Sequence, residues 1–387
     1  MDETGRKRIQ VKDDNWAKLK FVEDIMTNIF LRLPVKSIVI CKAACKHWRK
    51  FVRDPHFVNA HLKLSKQNIG YIIHPCIGAS KDFYLMNGDD GVITERISLP
   101  GLENLSSVRL ICSFNGLICC VGNASPSADM IDLNILICNP ATREVLLLPR
   151  AASSREEYSI GLAFDRKTNE YKVFWFFNAA RKSHHKHYKC EIYSSITGSW
   201  KSIGSVAHFP MRSLPIKCCP LSSSHVCIDG TAYWFISSKD DPSIPGSILA
   251  VDMEENFRTV SLPQDVTELS FLVELEGFLS LVSIYIDEKI VQTWILFDEF
   301  DQTTWWKERA DHIPIDDPQC YFTAALRHHE IFFITSSCYL IYNLENGLWK
   351  DIDLWDPLGT NYASAFAYIE SLLPCNGRMD SRENNVF

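Results

Sequence analysis

The chain lacks any apolar run long enough to cross a bilayer: its most hydrophobic stretches, Val173 to Phe177 and Ile331 to Thr335, fall far short of the ~20 residues a spanning helix needs. Its first residues, MDETGRKRIQ, carry charge of both signs and no apolar core of the kind a signal peptide requires. These two absences point to a soluble protein, cytoplasmic or nuclear, without a membrane partner; Arg6-Lys7-Arg8 offers a minimal nuclear signal. Glycine and proline are sparse, 17 of each in 387 residues, which excludes a collagen-like or low-complexity chain and leaves one that folds nearly throughout. Common catalytic motifs are missing too: there is no GxSxG, no HExxH, no Walker loop and no GxGxxG after a strand.

With no route to an oxidising compartment, the 14 cysteines read as reduced thiols and small buried hydrophobes. Cys41 and Cys45, four apart on helices, fit that role, and the N-x-S matches at Asn104 and Asn123 are without consequence. Cys119-Cys120 and Cys218-Cys219 put neighbouring side chains on opposite strand faces, which suits packing better than shared metal ligation. The tract His184-His185-Lys186-His187 has no cysteine or carboxylate following at zinc spacing and reads as an exposed basic loop; His328-His329 reads as a solvated turn. Neither a metal nor a cofactor is expected, and the protein is read as a non-enzyme.

What is present divides the chain into two regimes. Residues 17–64 hold ten lysines and arginines against three acids, a net +7, whereas residues 65–387 carry about −14. A basic headpiece on an acidic body suits an acidic protein partner for the headpiece and argues against nucleic acid for the whole. The headpiece pattern is helical. Ile25, Ile29 and Leu33 recur at i, i+4 and i+8, Leu33-Pro34 breaks the run, and further helices follow from about Val35 to Ala44, from Cys45 to Val52, and after Asp54-Pro55, where Asp54 is a helix cap. Three or four helices in so short a segment have more apolar face than they can bury among themselves, so the module leans on a partner.

From about Ile69 the pattern changes to short β runs between turn residues, and a repeat emerges. Its second half is a strand, a polar turn and a strand opening on a bulky residue: Cys138-NPATRE-Val145, Tyr193-SSITGS-Trp200, Val251-DMEEN-Phe257, Phe297-DEFDQTT-Trp305 and Tyr342-NLENGL-Trp349. Its first half is another hairpin, as in CSFNGLICC and VCIDGTAYWFI. Four strands in roughly 45–57 residues is the size of a propeller blade. Five units are readable, a weaker one spans Gly70 to Pro100, and the terminal run SAFAYIESLL would supply the closing strand. The fold expected is mainly β with a small α module, a β-propeller of about six blades, with a β-sandwich as the alternative.

The headpiece, with Glu23-Asp24-Ile25, Leu33-Pro34-Val35-Lys36-Ser37, Cys45-Lys46-x-Trp48-Arg49 and Asp54-Pro55-x-Phe57 in order, closely resembles an F-box. It departs at Phe21-Val22, where that family usually has Leu-Pro. CSFNGLI, ILICNPATREVLLLP and GLAFDRKTNEYKV are similar to the F-box-associated domain of large plant families, with fragments shared by the S-locus type. The resemblance implies a flexible tail over 1–20, an F-box over 21–64, a kelch-like propeller domain over 65–372 and a flexible tail over 373–387. It also implies adaptor contacts from Phe21, Val22, Ile25, Ile29, Leu33, Pro34, Val35 and Ile38, with Trp48 and Phe51 in the core. The partners implied are a Skp-type adaptor, through it a cullin, and a target protein held by blade loops, candidates being those of Arg181 and His185, of Lys239, and of His312. The expected role is substrate receptor of a ubiquitin ligase. A propeller enzyme, a lectin-like protein and an F-box protein with a non-ligase role are the alternatives.

Overall fold

The computed structural model describes residues 24–75, 80–88, 91–123, 133–149, 158–179, 187–210, 225–239, 244–264, 266–267, 269–299, 302–314, 320–325, 329–335, 338–352 and 363–377. Helices come first: α1 over 24–31, α2 Val35–Ala44, α3 Lys46–Phe51 and α4 Pro55–Ser65. Their ends follow the local chemistry. Pro34 ends the first run, and Asp54 Oδ1 caps α4 by accepting from His56 N at 2.9 Å and Phe57 N at 3.3 Å, with Pro55 in the first turn. Cys45 is exposed rather than buried, because it stands outside both helices in extended conformation, its Sγ accepting from Trp48 N at 3.4 Å; Cys41 is half-buried. Phe30, Ile38, Val52 and Phe57 form the headpiece core, with Trp48 and Phe51 packed against it.

Among the described residues, 24 strands form six four-stranded antiparallel sheets. Blade 1 takes β1 Gly70–Pro75, β2 Asp82–Met86 and β3 Ile93–Ser98; blade 2 takes β4 Ser107–Phe114, β5 Leu117–Asn123, β6 Leu133–Asn139 and β7 Glu144–Leu147. Blade 3 holds β8 Tyr158–Phe164, β9 Tyr171–Asn178, β10 Tyr188–Ser194 and β11 Ser199–Ser205, and blade 4 holds β12 His225–Ile228, β13 Thr231–Ser237, β14 Pro245–Val251 and β15 Phe257–Val260. Blade 5 holds β16 Ser270–Leu275, β17 Phe278–Tyr285, β18 Ile290–Glu299 and β19 Gln302–His312, and blade 6 holds β20 Cys320–Ala325, β21 Glu330–Thr335, β22 Tyr339–Asn343 and β23 Trp349–Ile352. The last strand, β24 Ala363–Tyr368, pairs antiparallel with β1 from Pro75↔Ala363 to Gly70↔Tyr368 and completes blade 1. The innermost strands β24, β4, β8, β12, β16 and β20 neighbour one another in a closed circuit. The fold is therefore a six-bladed propeller and not a sandwich, and the terminal run closes it as its sequence suggests.

The repeat has a physical origin at the turn joining the third and fourth strands. Asn139 Oδ1 accepts from Ala141 N and Thr142 N, Ser194 Oγ from Ile196 N, Asp252 Oδ1 from Asn256 N, and Asn343 Oδ1 from Glu345 N and Asn346 N. Two residues before each bulky residue the chain turns through positive φ, at Arg143, Gly198, Glu255 and Gly347. Cys138↔Val145, Tyr193↔Trp200, Val251↔Phe257 and Tyr342↔Trp349 then face each other across the hairpin. The tryptophans also tie blades together. Trp200 Nε1 donates to Pro149 O and Trp305 Nε1 to Ser261 O, each at 2.7 Å, and each acceptor lies four residues past the bulky residue of the preceding blade. Blade 5 departs from the expected turn: Trp305 faces Leu296, and the hairpin runs on to Glu299↔Gln302, with a bulge between Thr293 and Trp294.

Apolar clusters between neighbouring blades make the core, as where Phe174 and Phe176 set their edges against Trp234 at 5.7 and 5.4 Å. Gly161 is required there, since a Cβ would strike the Trp234 indole. Cys119 and Cys120 do take opposite faces, one in the cluster between blades 2 and 3, the other in that between blades 1 and 2.

Candidate docking site

The headpiece core of four residues is small, and the sequence compensates by giving α4 two apolar stripes. Phe57 points into the headpiece, while Val58 and Leu62 join the core of blades 2 and 3 alongside Leu117, Cys119 and Tyr171. His61 lies buried between them; its Nε2 lies 3.0 Å from Leu33 O, which can only accept, so the proton sits on Nε2 and the bond closes the end of the α1 turn. At the seam, Asn169 Nδ2 donates to Asn59 Oδ1 at 2.9 Å, and Lys36 pairs with Glu95 at 3.0 Å.

The C-terminal segment straps the two parts together. Glu370 Oε2 accepts from Val35 N at 3.3 Å, so a carboxylate 335 residues away caps α2, whose own first turn carries no acid. Leu372 packs against both the headpiece core and that of blades 2 and 3. Asn139 Nδ2 donates to Ser371 O at 3.0 Å and Leu373 O at 2.8 Å, and Tyr171 Oη donates to Cys375 O at 2.6 Å. Gly116, at φ +82°, lets the segment pass, since a Cβ would stand 2.6 Å from Ile369 O. The expected flexible tail from 373 is thus corrected for residues 373–377: Leu373 and Cys375 are fully buried, held by bonds that a reading of local sequence cannot see. Burial raises the Glu370 carboxyl above its usual range against the pull of Val35 N, and raises Glu144 likewise, opposed by a Cys375 backbone bond and Lys42.

Of the residues expected at an adaptor, Ile25 and Ile29 stand 43% and 49% exposed on α1, and Pro34 is exposed beside them; Leu33 is half-buried against the headpiece core. Val35 and Ile38 are fully buried and present no surface, a correction that follows from the α2 stripe facing inward; Phe21 and Val22 lie outside the described residues. The structure adds Ile40, 70% exposed. Its signal was the spacing Lys36, Ile40, Ala43, the polar side of α2, masked by the apolar run Ile38-Val39-Ile40. Of the headpiece's basic side chains, Arg32, Lys36, Lys46, Arg49, Lys50, Arg53 and Lys63 are exposed, which leaves the surface of the module basic. Lys42 is half-buried, and burial lowers its pKa, with Arg53 adding to the shift and Glu144 opposing it.

The strand ends that flank the candidate target loops lie on one face. In blades 2 and 3 the turns joining strands one to two and three to four lie at the headpiece end, as Asn139, Asn169 and Gly116 show, and the same strand order in blades 4 to 6 puts the matching turns there. The connections from Asn178 to Tyr188, from Ser237 to Pro245 and from His312 to Cys320 therefore leave from the opposite end. Lys239 and His312 are exposed there; Arg181 and His185 lie outside the described residues, as do Cys218-Cys219, His184 and His328. His329 is not simply solvated: Glu276 lies 3.0 Å and Glu345 3.7 Å from its Nε2.

A basic, apolar helical headpiece strapped to a six-bladed ring defines a receptor built of two modules. Residues 88–351 match the F-box associated beta propeller domain and residues 19–59 the F-box domain, so the chain belongs to the F-box proteins that carry an F-box associated propeller. Its relatives include the Arabidopsis thaliana F-box protein At5g49610, 24% identical over 94% of this chain and 100% of that protein, and F-box protein CPR1 of the same plant, 25% identical over 73% and 71%. A solved structure of a putative 6-phosphogluconolactonase from Bacteroides uniformis overlaps 74% of this chain and 95% of its own at 13% identity and TM-score 0.36, too distant to carry an argument. In general, an F-box domain implies a Skp-type adaptor, and the arrangement supports a substrate receptor of that kind.

Proposed function

We propose that this protein is the substrate-recognition subunit of a Skp-cullin-F-box ubiquitin ligase, docking on the adaptor through α1, the Leu33-Pro34 turn and Ile40, and holding a target protein on the face opposite. The observation that carries this is the exposure of Ile25, Ile29 and Ile40, which neither the headpiece core of Phe30, Ile38, Val52 and Phe57 nor its contact with the ring buries. Apolar side chains left in water after the headpiece has packed on the ring mark a protein interface. The role needs no nucleophile in this chain. The receptor brings a target lysine near a conjugating enzyme, and catalysis is proximity supplied by partners. Aromatic and arginine side chains of the far-side loops would carry target affinity.

Co-purification with a Skp-type adaptor tests it. Ile25→Asp with Ile29→Asp should cut adaptor recovery by at least about tenfold, the effect of losing central apolar anchors, while leaving the melting temperature unchanged. Undiminished recovery would sink the docking reading. Normal adaptor binding with no ubiquitin transferred to any captured partner would instead favour a non-ligase role.

A further inference from the structure

Blade 5 carries an apolar surface that the docking reading does not use. Strands β18 and β19 run 10 and 11 residues, whereas β22 and β23 of the next blade run 5 and 4, so the headpiece end of blade 5 outgrows its neighbour. The sheet face that the described residues of blade 6 leave uncovered bears Phe278, Phe297 and Trp306. Phe278 and Phe297 lie 5.2 Å apart, and Trp306 sets its edge to Phe297 at 6.4 Å while remaining 63% exposed. Blade 6 continues the surface. Arg309 Nη1 donates to Leu344 O at 3.0 Å and Glu345 O at 3.2 Å, drawing the turn that carries Leu348, 65% exposed, against β19. His329 links Glu345 back to Glu276, two residues before Phe278, and closes the circuit.

The chemistry of the rim says what this surface takes. Glu276 and Glu345 both keep more than half of their side-chain surface in solvent. Among the described residues beside them, Arg309 is engaged on Asp311 and the two carbonyls, and the His329 ring lies between the two carboxylates. Exposed aromatic faces with adjoining carboxylates attract lysine and arginine, and the same blade shows the pairing on its other face, where Lys307 Nζ lies 5.7 Å over the Trp294 ring. The acidic balance of residues 65–387 favours the same sign of partner. We infer that Phe278, Phe297, Trp306 and Leu348, rimmed by Glu276 and Glu345, dock a partner-protein segment that alternates cationic and aliphatic side chains. The surface lies at the headpiece end of the ring but across it, since the headpiece rests on blades 1 to 3, so the inference stands independently of adaptor docking.

The test uses the full chain alone and an acetylated six-residue peptide alternating lysine and leucine, titrated by calorimetry at low and physiological salt. The wild type should bind saturably. Trp306→Ala, at an exposed site that leaves the core intact, should weaken binding by about tenfold, as loss of a central aromatic anchor does. Glu276→Gln with Glu345→Gln should weaken it by a few fold and flatten its salt dependence, because screening acts on the charges removed. The proposal is overturned if the wild type shows no binding, if Trp306→Ala binds equally, or if a serine–leucine peptide of the same length binds as well as the cationic one. It is also overturned if light scattering shows that a second copy of the chain covers the surface and Trp306→Ala disperses the dimer.

Discussion

The headpiece and the ring solve the same problem differently. The ring buries apolar side chains between every pair of neighbouring blades and removes its sheet edges by closing on itself, with β24 inserted beside β1. The headpiece has one cluster of four buried residues, an α4 shared with blades 2 and 3, an α2 capped by Glu370, and isoleucines still in water. The contrast shows a division of labour: one part closes its own circuit of strands, while the other finishes its burial only against its neighbours, which is what a docking element needs.

The hardest test of the ring's completeness is to end the chain after residue 362, deleting β24 and the strap. The exposed edge of β1 and the opened cores of blades 1, 2 and 6 should abolish recovery of soluble monomer, read by light scattering after size exclusion; a native monomer would show that closure is dispensable. A smaller effect sharpens the headpiece side. Ile38→Ala should cost ~2–5 kcal/mol, the usual range for truncating a buried isoleucine, and hydrogen exchange should rise through residues 24–65 while the inner strands of blades 4 to 6 stay protected. Equal loss in both would mean that they melt as one body. The smallest effect lies at the seam. Folding raises the carboxyl pKa of Glu144 and Glu370 above the ordinary 4.5, so the folded state binds their protons more tightly than the unfolded one. Their cost is full at neutral pH and is relieved as pH falls through the raised values towards 4.5. Exchange protection of the headpiece should therefore improve modestly as the pH falls from neutral towards 4.5, and Glu144→Gln with Glu370→Gln should flatten the trend.

Much of this was legible beforehand, and the exceptions are instructive. The repeated turn was readable because its asparagine or serine, its positive-φ residue and its bulky cross-strand partner are all local in sequence. The α2 span was readable from Pro34 and the helical spacing. What escaped was non-local. No periodicity could announce that Glu370 caps Val35, that Tyr171 holds Cys375, or that residues 373–377 are buried, because each depends on where a distant strand leaves the ring. Val35 and Ile38 were misplaced at the adaptor face, and Ile40 missed, because one apolar run crosses both sides of α2 and a few residues do not settle which side the core takes. In the far-side loops, Arg181 and His185 lie outside the described residues; Lys239 and His312 are placed on a common face by topology alone.

Because blade 1 is assembled from β1 and β24, strands nearly 300 residues apart, the receptor has a built-in order of birth. A ribosome adding 5–20 residues per second needs roughly 15 to 60 s between releasing β1 and releasing the strand that pairs with it. During that interval blades 2 and 3 emerge and can meet the apolar face of α4, while the edge of β1 and the Glu370 cap of α2 wait for the last residues. A message cut short before the final strand would leave β1 an open edge and α2 without its Glu370 cap.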